Sequence, residues 1–172
     1  RLIGSLFSRG DKIEEPKVDP VTFTPGSAVL SPSMEEHLLR VADFMRRTPY
    51  VGLTMHPVVT AADVDALKSA EVGAKVVQFA KERGIAEQPQ AVRAYFQERV
   101  RNEKLPGTTE DQLKLLRDRE PVPEAKVKDL EARRLAAAKE RLVKKEGIQD
   151  KRLPAGEAKK AEAGEGRVEF AI

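Results

Sequence analysis

Two histidines, a scatter of serines and no cysteine are what this chain offers for side-chain chemistry. Without cysteine there is no thiol nucleophile, no disulfide and no thiolate metal site. His37 falls in a stretch of helical apolar spacing, and His56 ends an alternating one. Neither has carboxylates or a second histidine at ligand spacing, so the pattern does not describe a metal centre. For His56, followed by Pro57, packing at a strand end is the favoured reading over a remnant of a binding loop. The serines fall in the leading segment, in the GSAVLSPS stretch and at Ser69. None sits in a G-x-S-x-G elbow, the strained turn that would present an activated hydroxyl. PGSA is not a phosphate loop either, because no Gly-Lys-Ser/Thr follows it. The residues therefore point away from an enzyme and call for no cofactor.

Charge is plentiful but mixed. The 172 residues carry 31 basic and 28 acidic side chains, a formal net charge of +3. The pI of about 9.1 is the one feature favouring a nucleic-acid-binding helical module. No single-sign block dominates, so solvated helix faces are the simpler reading and no nucleic-acid partner is expected. Aromatic residues make up 5% and there is no tryptophan, which disfavours stacking platforms for sugars or bases. No apolar run approaches the ~20 residues of a membrane span. The chain begins with Arg rather than Met, which reads as a fragment or processed product whose signal or anchor would lie upstream.

The element that must organise everything else is the helix expected from Glu124 to Ile148. Pro121 and Pro123 stop what precedes it, and Gly147-Ile148 supplies a left-handed cap with its apolar contact. Val127, Leu130, Ala137, Ala138 and Leu142 give it an apolar stripe. The two chain ends offer the surface to cover. Val21–Phe23 alternates, and Val168, Phe170 and Ile172 do the same in RVEFAI, which is strand spacing. Between them, Ser31-Pro32 opens a helix running to Arg47 with Met34, Leu38, Val41, Ala42 and Met45 inward. A second strand is expected over Tyr50–His56, ending where Pro57 removes a donor. A long helix follows over Ala61–Arg83, with Thr60 as its cap and Val72, Val76, Phe79 and Ala80 inward. Two short helices fill the stretch from Gln88 to Glu120. Lys151–Pro154 reads as a short third strand, and AGEAKKAEAGEG as a polar, mobile stretch. The fold class this order implies is α+β, a small mixed sheet covered by helices with an inserted helical pair at about 86–123. Residues 1–20, with LIGSLF and three breakers, read as a linker from a preceding domain, and 21–172 as the domain itself.

Several of these stretches carry a resemblance. VTFTPGSAVLSP, then helix, strand, a helix ending in Gly-Ile, a short Arg-Leu element and GRVEF, together resemble the OmpA-like domain, a two-layer sandwich. LEARRL, from Leu130 to Leu135, is similar to that family's L-S-x-x-R-A helix and sets Arg134 at its arginine. Arg167, Val168 and Glu169 match its closing strand. The likeness covers about Val21–Arg83 and Glu124–Ile172. A more specific likeness is to the C-terminal end of AsmA-group envelope proteins, through LIGSLF, the F-x-P-G-S-A-x-L motif, the inserted helices and the R-V-E-F ending.

What this resemblance implies is a periplasmic domain of an inner-membrane-anchored protein, associated with outer-membrane integrity and phospholipid transport. Its partners would be an upstream AsmA-like domain of the same chain and a cell-envelope protein or peptidoglycan. OmpA-like domains commonly clamp the diaminopimelate of peptidoglycan between an aspartate and that helix arginine. A zwitterion needs one group of each sign, and arginine gives a carboxylate two parallel donors. Here Arg134 stands at the arginine position, while Val58 stands where the aspartate belongs. Asp63 and Asp65 lie nearby but out of register. The second long helix also fits the pattern from Leu67, and there Glu71 takes the arginine's place. The expectation is therefore a docking or spacing domain, with peptidoglycan binding through Arg134 and a shifted acid, Asp63, as the alternative.

Overall fold

The first and last strands among the described residues lie side by side. In the computed structural model, which describes residues 18–172, Val21 pairs with Val168 and Phe23 with Gly166, antiparallel. LIGSLF and most of the expected linker lie outside the described residues. The elements run β1 (Val21–Phe23), α1 (Pro32–Arg47), β2 (Thr54–Thr60), α2 (Ala61–Arg83), α3 (Gln88–Arg99), α4 (Thr109–Arg119), α5 (Glu124–Glu140), β3 (Lys159–Ala161) and β4 (Gly166–Ala171). They form two compact units: residues up to Asp63 together with Ala125–Ile172, and Val64–Glu124.

The first unit is α+β. Its mixed sheet has the order β1-β4-β2-β3, with β2 and β3 parallel and the other pairs antiparallel. Val21, Phe23, Met55, Val168 and Phe170 join one apolar cluster with Leu38, Val41, Ala42 and Met45 of α1 and Ala138 of α5. Alternation on the strands and 3.6-residue spacing on the helices thus meet in one layer interface. α1 starts where its sequence says it should. The Ser31 hydroxyl accepts the Met34 N–H at 3.2 Å, and Pro32 occupies the first turn. α5 continues into one wider, π-helical turn at Arg141–Lys145, then stops at Gly147, whose φ of 76° only glycine adopts without strain. There Ile148 N–H bonds Leu142 O at 3.0 Å and Gly147 N–H bonds Val143 O at 3.0 Å, taking up free carbonyls of the helix end.

Two strand expectations are corrected. The second strand begins at Thr54 and runs through Pro57 to Thr60 rather than ending at His56. Met55 donates to Pro154 O and accepts from Gly156 N–H, so that edge of residue 55 faces away from β4. Residues two apart point the same way, so the missing N–H of Pro57 falls on that edge too, just short of where β3 begins pairing at Val58. No β2–β4 bond is lost. Lys151–Pro154 forms no strand; residues Asp150–Arg152 make a single tight turn. The third strand comes instead from Lys159–Ala161, inside the stretch expected to be mobile. Its side chains are mostly exposed, so only backbone pairing holds it and no apolar pattern announces it.

The second unit is helical. Val72, Val76 and Phe79 of α2 pack with Ala91, Val92, Tyr95 and Phe96 of α3, with Leu116 of α4 and with Val100. Phe79 and Tyr95 meet edge to face at 5.4 Å. The unit thus takes most of α2 along with the inserted pair. The Thr108 hydroxyl caps α4 by accepting the Asp111 N–H at 3.0 Å.

Candidate functional site

Arg134 and Asp63, singled out from the sequence for a different purpose, are in direct contact. Arg134 takes its place on α5 by the helix's own period: Val127, Leu130, Arg134, Ala138 and Leu142 are the buried positions. It therefore points inward, between two apolar turns. Its neighbour Arg133 is the surface arginine, pairing with Asp129 at 2.8 Å. Asp63 is placed by the start of α2. Thr60 and Asp63 form a reciprocal cap, with Asp63 Oδ2 accepting the Thr60 N–H at 3.0 Å and the Thr60 hydroxyl standing 3.4 Å from the Asp63 N–H. That is the capping-box arrangement with aspartate in the usual glutamate position.

Both side chains are 0% exposed. The guanidinium meets the carboxylate side by side, Nη1 to Oδ2 at 2.8 Å and Nη2 to Oδ1 at 2.7 Å. Arg134 Nε donates to Ser27 O at 2.8 Å, and Nη2 also donates to Thr24 O at 3.2 Å. The Phe23 ring lies 5.0 Å from the guanidinium carbon. Asp63 Oδ1 accepts the Gly26 N–H at 2.8 Å, in a turn where Gly26 adopts a φ of 73°. Gly166 closes the last side. A Cβ at Gly166 would run into Arg134 Nη1 and Asp63 Oδ2. Burial alone would push the Asp63 carboxyl up. Donors from Arg134, Gly26 and Thr60 outweigh it and hold the group below the ordinary carboxylate range.

The arrangement is an ion pair whose charges are both compensated and whose acceptor sites are all taken. Chemically it ties three sequence-distant segments together: the β1–α1 loop, the start of α2 and the middle of α5. The loop carbonyls and amide that complete it, at Thr24, Gly26 and Ser27, act through backbone atoms, and only the glycine hints at them in the sequence. The burial of Arg134 was readable, since it falls four residues beyond Leu130 and four before Ala138.

The other candidates are dispersed. Val58, at the aspartate position of the resemblance, is buried in β2 opposite Arg167 and Lys159. His37 is buried and its Nε2 donates to Asp19 O at 2.8 Å. His56 Nδ1 donates to Glu157 O at 2.9 Å, tying β2 to the segment leading into β3. Arg167 and Glu169 interact along β4 at 2.9 Å, and Glu169 also meets Lys159 of β3, two strands over, at 3.3 Å. Burial would raise the Glu169 carboxyl, but those two cations hold it below its usual range. A further clamp escaped sequence reading altogether. Arg152 donates to the carbonyls of Met45, Thr48 and Val51, fixing the α1–β2 loop.

Among the described residues no group of three His, Cys, Asp or Glu could hold a metal ion, and no helix is long and apolar enough to cross a membrane. No family model matches the sequence, and no curated protein or solved structure matches it either.

Proposed function

We propose that this chain is a non-enzymatic docking or spacing domain of the OmpA-like type, working in the periplasm as part of an AsmA-like envelope protein. The observation that carries the reading is the closure of Arg134 on Asp63. An OmpA-like clamp needs an arginine and an aspartate open to a zwitterion. Here both groups are 0% exposed and spend their hydrogen bonds on each other and on the backbone of the β1–α1 loop. A ligand carboxylate would have to displace the Asp63 carboxylate from a desolvated, doubly bonded position, and the displaced charge would stay buried and unpaired. The pairing of β1 with β4 beneath α1 and α5 supports the OmpA-like side of the reading, since the resemblance rests on those same stretches.

The alternative, peptidoglycan binding through Arg134 and Asp63, draws on one fact: the two groups stand together with the right signs. Co-sedimentation with purified sacculi separates the two. The docking reading expects the domain to remain in the supernatant at physiological salt. Retention that free meso-diaminopimelate competes away would overturn it.

A further inference from the structure

The second unit holds a cavity of about 500 Å³, within the range of small-molecule sites. Its floor is apolar: Val72, Val100 and Leu116 line it, with the ring of Tyr95, and all four are buried. Its rim is charged and unbalanced, with Lys75, Arg99 and Arg119 against the single carboxylate Glu120. Lys75 is bonded to Glu120 at 2.7 Å, and Arg119 is paired with Glu103. Arg99 is different. Its guanidinium lies 5.0 Å over the Tyr95 ring and makes no ion pair or hydrogen bond with a described residue. With no carboxylate or carbonyl of a described residue on them, its N–H groups are free to meet an acceptor at the cavity mouth.

We propose that this cavity binds a small amphiphilic anion, its carboxylate or phosphate head on Arg99 and its apolar body against Val72, Val100 and Leu116. The excess of positive charge selects the sign of the head group, and the apolar floor selects a hydrocarbon rather than a sugar or an inorganic ion. A fatty carboxylate and a phosphate monoester share this chemistry.

The chain provides its own reporter. It has two tyrosines and no tryptophan, and Tyr50 is 99% exposed, so Tyr50→Phe leaves the fold alone and makes Tyr95 the sole emitter. In that variant, octanoate, octyl phosphate, octanol and octyltrimethylammonium are titrated by tyrosine emission, with calorimetry in parallel. The expected result is saturable binding of one or both anions, weaker binding of octanol and none of the cation. Arg99→Gln, on an exposed side chain, weakens the bound anions by about tenfold and leaves octanol unchanged. Which anion binds identifies the head group. Equal binding of all four compounds, no binding of either anion by both methods, or anion binding indifferent to Arg99→Gln would each overturn the proposal.

Discussion

Arg134→Met is the perturbation that asks most of the structure. The new side chain matches the length of the arginine stem and leaves the cation out. Asp63 then keeps only the Gly26 and Thr60 donors, with no countercharge, at a position that water does not reach. Breaking one side of a buried pair costs about 3–5 kcal/mol. Set against a typical total of about 5–15 kcal/mol, that is roughly a fifth or more of the domain's stability. With a urea slope of roughly 2 kcal/mol/M, the unfolding midpoint should fall by about 2 M. Asp63→Asn should also be costly, since Arg134 retains Ser27 O and Thr24 O but loses its anion. The double variant should lose less than the sum of the two, with a coupling of about 2 kcal/mol or more. Circular dichroism against urea gives all three curves. A loss below about 1 kcal/mol for Arg134→Met, the range of exposed pairs, would refute the claim that this contact is desolvated and structural.

Three further outcomes follow from the same geometry. Asp63 has its folded-state carboxyl below the ordinary value of 3.8, so its contribution is fully present above that pH and is lost as pH falls through the folded value. Denaturant midpoints of the wild type should therefore drop more steeply below about pH 4 than those of the Arg134→Met/Asp63→Asn double variant. Gly166→Ala places a methyl against both ion-pair side chains and should cost about 1–3 kcal/mol in the same urea assay, more than alanine costs at an ordinary strand glycine. Leu142→Ala, at a fully buried position beneath α1 and the sheet, should cost about 2–5 kcal/mol by thermal or urea unfolding.

Much of the first unit was legible because its signals are local and agree. Ser31-Pro32 and Gly147-Ile148 mark helix ends by backbone chemistry, and the alternation of Val21/Phe23 and Val168/Phe170 marks strands by burial. The pairing of the two chain ends followed from their shared need for one apolar cover. What escaped was structure that burial does not write into side chains. β3 is made of Lys159, Lys160 and Ala161, joined to β2 only through the backbone. β2 passes through Pro57 because the missing donor lies on the edge away from β4, just short of the first β3 pair, which depends on a neighbour that no local rule supplies. The ion pair was half legible. The apolar stripe read from the sequence leaves Arg134 out, although its spacing from Leu130 and Ala138 fits it, and Thr60 is already placed there as the cap of the helix that holds Asp63. That the two would meet depends on the β1–α1 loop folding back over both, a contact between residues 37 and 71 positions apart.

The resemblance treated Arg134 as a group offered to a ligand, whereas the geometry makes it a group satisfied from within. Nuclear magnetic resonance of the Arg134 Nε–H separates these meanings directly. That proton is buried and bonded to Ser27 O, so it should exchange slowly with water and keep its shift when meso-diaminopimelate is added to millimolar excess. A fast-exchanging Nε–H, or a saturable shift on adding the ligand, would contradict the account.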